Sequence, residues 1–250
     1  MLVAMGRVAV LTLVAAGAIS AAAGLSFLFV ARAVSHRDAS GDRLFARRAH
    51  TLWWGGLGAY LLSQGTFTLL AAFDALDPRL YIGSRVLIIP VLCAATWGIT
   101  FYLTYLYKGS ARAVWPLAAL YALVAALFYY ATYGGAPQSM TVEAWLVTLD
   151  DDSTLYRLVY ALVGLPPIVA SFAYLGLLRR VKDREQRYRI VLVSSAILLY
   201  VGSGLAARLA ASDVVIFLTL VVFGLAAAGM SLAAYYPPVW VRARLAGGAP

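Results

Sequence analysis

The residues best suited to bind a polar ligand are a few charged side chains near the ends of apolar runs. Arg85 and Arg208 each lie near one end of such a run, and Asp213 follows Arg208 by five residues. A charge placed in hydrocarbon is energetically costly, so residues of this kind predict a functional site. We expect them to form an outward-facing site for an anionic or polar ligand. The alternative is that both arginines extend to the surface and pair with loop acids, which would join the helix ends.

A second set of polar residues repeats every four positions within two apolar runs. Tyr60, Gln64 and Thr68 follow this spacing in one run, and the next run carries Thr100 with a threonine one turn before and after it. Four-residue spacing places these side chains on one face of each helix. Gln64 and Thr100 are therefore predicted as inner ligand contacts of a polar cavity. The alternative is ordinary packing, because hydroxyls and amides also bond across helix interfaces in lipid.

The apolar runs lack the residues that several kinds of chemistry require. The only lysines, Lys108 and Lys182, lie in loops, so retinal, which needs a lysine in the last helix, is not expected. His36 and His50 lie in or beside one loop and are expected at the surface rather than on a haem or zinc. Cys93, the single cysteine, is expected to be a small buried hydrophobe. We therefore predict no catalytic residues, no metal site, no cofactor and no enzymatic activity.

The composition indicates which solvent surrounds the elements that must position these residues. Apolar residues make up 63% of the 250 and charged residues 12%, whereas soluble domains are about 45–50% apolar. A soluble chain of this length could not hide so much apolar surface. The net charge of +9 does not indicate nucleic-acid binding, because the basic residues lie in short loops between apolar runs. The lipid bilayer is the expected surrounding.

The apolar runs predict an all-α membrane protein, a seven-transmembrane helix bundle that forms one domain over residues 1–250. Each run must be helical, because lipid offers no partner for a free backbone amide. The longest connection, residues 134–156, contains Met140–Leu149, which could form a short strand or an interfacial helix. It is interpreted as a lid or contact surface, or else as a cap that only covers helix ends. The predicted helices are at about 8–31, 51–73, 82–107, 114–133, 157–178, 188–211 and 214–236.

Glycines within these runs predict places where helices approach closely. A side chain of one hydrogen lets two helix backbones come together in lipid. The candidate positions are Gly55, Gly56, Gly58, Gly202 and Gly204.

The basic residues of the loops predict the orientation. Fifteen of the 20 Lys and Arg residues fall on one side of the proposed membrane, with four of the 11 acidic residues; five basic and seven acidic residues fall on the other. Positively charged loops stay in the cytoplasm. The N-terminus is therefore predicted outside and the C-terminus inside, in the cytoplasmic membrane of a bacterium or archaeon. The densest basic segment is a predicted contact for a partner protein or anionic lipid, through Arg179, Arg180, Lys182, Arg184, Arg187 and Arg189.

Four segments carry a resemblance to a known group of proteins. They are Leu52-Trp-Trp-Gly-Gly-Leu-Gly-Ala-Tyr60, Phe101-Tyr-Leu-Thr-Tyr-Leu-Tyr-Lys-Gly109, the basic stretch Arg179–Arg189, and Tyr235-Tyr-Pro-Pro-Val-Trp240. Together they resemble the seven-helix sensor regions that precede bacterial histidine kinases, and free-standing seven-helix proteins of unassigned role. The resemblance covers most of the chain through helix order and loop character. It departs from the sensors in lacking a kinase, so it implies output through a separate partner, and it carries over no ligand-binding residues.

These patterns predict a non-enzymatic, receptor-like or accessory membrane module that senses a small molecule or binds a partner protein in the cytoplasm or membrane. The alternative is a facilitative transporter or channel for a small neutral solute, which would use the hydroxyl-lined faces. Action on a lipid as an enzyme, and a subunit that only packs against a larger complex, are further alternatives.

Overall fold

The structure is a computed structural model. It describes residues 7–37, 42–108, 112, 139–142, 147–150, 167–209 and 213–246, together with nine positions between 115 and 130 that are all helical. The helical fold class is confirmed over the described residues, with one small addition, a two-stranded hairpin.

Helices form most of the described chain. They are α1 (Arg7–Ser35), α2 (Asp42–Ala72), α3 (Pro78–Lys108), α4 (Pro167–Leu177), α5 (Arg184–Leu209), α6 (Asp213–Tyr235) and the short α7 (Val239–Leu245). The 31 residues of α2 correspond to about 46 Å of helix, whereas a bilayer's hydrocarbon core is about 30 Å thick. A helix of this length is long enough to extend into the headgroup region.

The hairpin lies in the long connection for which the sequence allowed either a short strand or an interfacial helix. Strands β1 (Ser139–Val142) and β2 (Val147–Asp150) pair antiparallel, with Ser139 opposite Asp150 and Val142 opposite Val147. Of the two alternatives, the structure has strands. β2 contacts α2, so the hairpin is docked against the helices.

A tight turn between α2 and α3 sets the relative position of these two helices. Asp74 adopts a left-handed backbone with φ 57°, and the N–H of Ala75 donates to the carbonyl of Leu70, which closes the end of α2 in a Schellman motif. Asp77 then caps α3 by accepting the Arg79 N–H at 2.8 Å, with Pro78 as the first helical residue. The two helices are therefore antiparallel neighbours.

Glycines bring α1 and α2 into backbone contact. Gly17 and Gly24 on α1 lie against Gly65 and Gly58 on α2, two pairs spaced seven residues apart. A Cβ on Gly24 would lie 2.5 Å from the Leu62 nitrogen and 2.8 Å from the Gly58 carbonyl oxygen, so only glycine fits. Small residues at such spacing are typical of helix contacts in lipid, where close backbone packing replaces hydrophobic attraction.

The other glycines predicted to mark close approach have mixed outcomes. Gly56 has Ala95 and Val91 of α3 against it, as expected, and Gly58 faces α1. A Cβ on Gly55 would lie 3.9 Å from the Ala31 methyl, which is ordinary van der Waals contact, so α1 does not approach this position unusually closely. A Cβ on Gly202 would meet no described atom within 4 Å, so the described residues show no close approach there. The surroundings of Gly204 lie outside the described part of the structure.

The interior of the helix assembly combines large apolar side chains with small polar ones. α1 contacts both α2 and α6, α2 contacts α3, and α5 contacts α6. Phe27, Trp54 and Ile99 are almost completely buried where these helices meet. Several polar side chains are buried with them, namely Gln64, Thr68, Arg85, Thr96, Ser171, Ser194 and Ser231.

The outer surface is apolar on many helices. Large apolar side chains that are more than half exposed occur on six of the helices α1 to α7. One example from each of α1, α2, α3, α4, α6 and α7 is Leu11, Leu52, Leu87, Phe172, Val222 and Val239. Soluble monomers rarely expose such extended apolar surface. Polar residues inside and apolar residues outside are the distribution that a lipid surrounding favours.

Length and hydropathy identify one clear membrane-spanning candidate among the described helices. It is Val10–Ser35, with a mean hydropathy of 2.1. The segments Val221–Tyr235 and Val239–Leu245 pass the same test only if counted as one span bent by 52°. Only 33% of the 18-residue apolar segment of α1 is buried. The core helix of a soluble protein is mostly buried. A signal sequence, which also lies near an N-terminus, can have the same length and hydropathy. These features together suggest membrane association.

Candidate functional site

Gln64 occupies a buried position on α2, directly beneath the hairpin. Its side-chain nitrogen donates to the carbonyl oxygen of Val147 at 2.9 Å. Its own backbone carbonyl accepts the hydroxyl of Thr68, also at 2.9 Å. The side chain is 6% exposed, so its amide is positioned by protein contacts rather than by water.

Arg85 reaches Gln64 from α3 and is itself only 4% exposed. Its Nη2 donates to the Gln64 side-chain oxygen. The guanidinium carbon lies 5.2 Å from the ring centre of Tyr60 and 4.8 Å from that of Tyr81, within the range of cation–π attraction. The Arg85 side chain thus connects an amide of α2 with one aromatic ring on α2 and one on α3. We call Tyr60, Gln64, Tyr81 and Arg85 the Arg85 cluster.

The hairpin covers the Arg85 cluster and supplies an oxygen to it. Val147 is 1% exposed, and its carbonyl accepts the Tyr81 hydroxyl at 2.7 Å as well as the Gln64 amide. The Val147 side chain packs beside Phe67 and Tyr81, whose rings meet edge to face at 5.4 Å. Two neutral donors therefore converge on one oxygen, next to a buried cation.

This arrangement suits recognition of oxygen rather than bond-breaking chemistry. Amide and phenol donors beside a guanidinium match a carbonyl or carboxylate. Arginine stays protonated in proteins and cannot act as a general base at neutral pH. Within the part of the chain that the structure describes, no three His, Cys, Asp or Glu side chains are placed to hold a metal ion.

The structure brings together two of the five predicted ligand contacts. Gln64 and Arg85 meet as described. Thr100 lies on the same helix as Arg85, but about 22 Å further along it, and its hydroxyl donates to the Thr96 carbonyl at 2.9 Å. It is therefore not part of the Arg85 cluster. The side chains of Arg208 and Asp213 lie outside the described residues, although their backbones belong to α5 and α6.

Sequence reasoning did not assign Tyr81 or Val147 to the site. Tyr81 precedes Arg85 by four residues, as Tyr60 precedes Gln64, so two aromatic–polar pairs one helical turn apart were a usable signal. The role of Val147 rests on a backbone carbonyl, which no side-chain pattern reveals.

The predicted basic contact surface lies at the start of α5 and in the turn before it. Arg179, Arg180, Lys182, Arg184 and Arg187 are exposed. Arg189 instead pairs with Glu185 at 2.5 Å and lies over the ring of Tyr235 at 5.7 Å. Arg189 therefore helps to join α5 to α6.

His50 is not the surface residue that sequence suggested, whereas His36 is exposed as expected. The His50 Nδ1 lies 2.8 Å from the Ala46 carbonyl, and its Nε2 lies 3.0 Å from the Tyr174 hydroxyl. A carbonyl only accepts, so Nδ1 carries the proton and the neutral ring accepts from Tyr174 at Nε2. Burial lowers the pKa of His50. Tyr174 of α4 packs against the His50 ring, which is why His50 is half-buried rather than exposed, and burial disfavours the charged form of the ring.

Comparisons with known proteins do not identify this chain. No protein-family description, no curated protein and no solved structure matches it.

Proposed function

We propose that this chain is a non-enzymatic, receptor-like or accessory module of the cytoplasmic membrane, built of the seven transmembrane helices that the sequence predicts, with the N-terminus outside. The Arg85 cluster would be its ligand site, and a small molecule bearing a carboxylate or carbonyl oxygen its ligand. The observation that carries this proposal is a buried guanidinium beside two donors that converge on the Val147 oxygen.

The membrane placement is supported by the distribution of side chains. Polar residues such as Gln64 and Arg85 are buried between helices, while large apolar residues face outward on six of the helices α1 to α7. The orientation is supported by the excess of basic residues in alternate loops. It would place the hairpin and the Arg85 cluster at the outer ends of α2 and α3, and the basic turn before α5 in the cytoplasm.

The proposed ligand would take the place of a protein oxygen that already occupies the site. When the hairpin moves aside, the Tyr81 hydroxyl and the Gln64 amide lose the Val147 carbonyl as their acceptor. A carboxylate could replace it as the acceptor of these two donors, beside the Arg85 guanidinium. Ligand binding would thus compete with hairpin docking, and the displaced hairpin or the shifted helices would transmit the signal to a partner.

A thermal-shift screen tests the ligand class. We expect some members of a panel of small mono- and dicarboxylates to raise the unfolding temperature of the purified protein, and their neutral amides to do so less. Arg85→Gln should abolish the carboxylate shift, and Arg85→Lys should retain part of it, because a point charge lacks the planar fork.

The matched control is Arg79→Gln, an exposed arginine in the first turn of the same helix. It should leave the carboxylate shift unchanged. Equal shifts in the wild type and in Arg85→Gln would remove the Arg85 cluster from ligand binding.

The transporter alternative has less support from the described residues. Thr68 and Thr96 are buried, as a polar path would require. However, the hydroxyls of Thr68 and Thr100 donate to carbonyls four residues earlier on their own helices, which is how threonines behave in packed helices. Solute flux through liposomes that contain the protein would favour the transporter, because a receptor passes nothing.

A further inference from the structure

A groove of about 480 Å³ lies between α5, α6 and α7. Its lining shares no residue and no helix with the Arg85 cluster, which belongs to α2 and α3. Its walls are largely apolar and include Leu192 of α5 with Met230 and Ala233 of α6. Gly229 widens it, because a Cβ there would meet no described atom within 4 Å. A groove with this lining would accept a hydrocarbon chain.

One side of the groove is formed by a helix that leaves the bundle at an angle. α6 ends before Pro237 and Pro238, and α7 continues at 52° to it. Proline cannot continue the hydrogen-bonding of the preceding helix, which explains the break. Val241 anchors α7 by its buried side chain, whereas Trp240 is exposed. An exposed tryptophan on a short tilted helix is typical of the membrane–water interface.

The open end of the groove is positively charged. Arg244 is exposed and lines the groove, with its guanidinium carbon 5.9 Å from the ring centre of Trp240. Arg184 and Arg187 are also exposed and lie within one helical turn of Tyr188, which lines the groove. An apolar groove that ends at Arg244 matches a molecule with a hydrocarbon tail and a negatively charged head.

We propose that this groove binds one anionic phospholipid of the inner leaflet. An acyl chain would lie along Leu192, Gly229 and Met230, and the phosphate would bond to Arg244 beside Trp240. Charge complementarity favours this occupant over a second copy of the chain, since the groove mouth of a second copy would carry the same positive charge. The inference rests on the proposed membrane placement, but not on the proposed ligand of the Arg85 cluster.

Lipid retention in nanodiscs tests the proposal. The protein is reconstituted in a mixture of phosphatidylglycerol and phosphatidylcholine, extracted into mild detergent, and examined by native mass spectrometry. We expect one retained phosphatidylglycerol per chain. Arg244→Gln should reduce its occupancy several-fold, and Gly229→Leu should do the same by filling the groove.

Two matched controls share the helices of these variants. Arg242→Gln removes an exposed arginine of α7 that does not line the groove, and Gly224→Leu adds the same side chain to another open face of α6. Both should retain phosphatidylglycerol like the wild type. Retention that is equal in all five proteins, or equal for the two lipids, would overturn the proposal.

A helix or a second copy in the groove would give a different result. Gly229→Leu would then change the oligomeric state without changing lipid retention, and this outcome also overturns the lipid proposal. Failure of the protein to enter nanodiscs would instead contradict the membrane placement. Loss of the carboxylate response in Arg85→Gln with unchanged lipid retention would leave the two sites independent.

Discussion

At the scale of single residues, the main feature is a buried arginine in contact with an amide and two aromatic rings. Gln64 bonds to Arg85 through its oxygen and to Val147 through its nitrogen, so one amide links α2, α3 and the hairpin. Because both ends of the amide are used, Gln64 cannot be replaced by an apolar residue without leaving polar groups unsatisfied. The Tyr81 hydroxyl shares the same Val147 oxygen.

The Tyr81 bond predicts how firmly the hairpin is docked. Tyr81→Phe keeps the ring that packs on Phe67 but removes the hydroxyl donor. We expect a loss of about 1 kcal/mol in hairpin docking, seen as faster amide hydrogen exchange in residues 139–150. Tyr130→Phe, which removes a hydroxyl from an exposed tyrosine, is the control and should leave that exchange unaltered. Unchanged exchange in Tyr81→Phe would show that the hydroxyl does not hold the hairpin.

At the scale of elements, the pairing of α1 with α2 depends on the absence of side chains. The two glycine pairs lie on one seam because a seven-residue interval corresponds to nearly two helical turns. Backbone atoms, which cannot move aside as a flexible side chain can, occupy the space beside Gly24 and Gly58. This seam positions α2, and α2 in turn carries Tyr60 and Gln64.

The seam predicts a strong effect from adding one methyl group. Gly24→Ala should force the helices apart and cost about 1–3 kcal/mol, as overpacking of a close contact does. Gly83→Ala on α3 is the matched control, because its Cβ would meet no described atom within 4 Å. The control should be neutral or stabilising by up to about 1 kcal/mol. Thermal unfolding in detergent measures both; equal unfolding temperatures would contradict the close contact.

At the scale of the whole molecule, the outward apolar surface and the charge of the loops define how the chain would sit in a bilayer. α1 carries exposed Leu11 and Phe29, and α3 carries exposed Leu87. The basic turn before α5 and the turn between α2 and α3 would then lie on opposite sides of the membrane.

Cysteine labelling tests that orientation. In a background with Cys93 replaced by Ala, a cysteine is placed at exposed Ala75 or at exposed Lys182. A membrane-impermeant maleimide added to intact spheroplasts should label Ala75→Cys at once, and Lys182→Cys only after the membrane is opened. Labelling of Lys182→Cys in intact spheroplasts would refute the orientation and the inner-leaflet position of the lipid groove.

The sequence alone determined the helical character, because apolar runs of about 20 residues have few other ways to satisfy their backbone. It also singled out Arg85 and Gln64, since charged and amide side chains inside such runs are rare. It also proposed Thr100, because the four-residue spacing was interpreted by helix face alone, although Thr100 lies about 22 Å along the helix from Arg85. Only the tertiary structure decided that the hairpin lies over α2 and α3, and that a backbone oxygen of Val147 enters the cluster. Such long-range contacts depend on how helices are arranged in space, and local side-chain patterns carry no record of that arrangement.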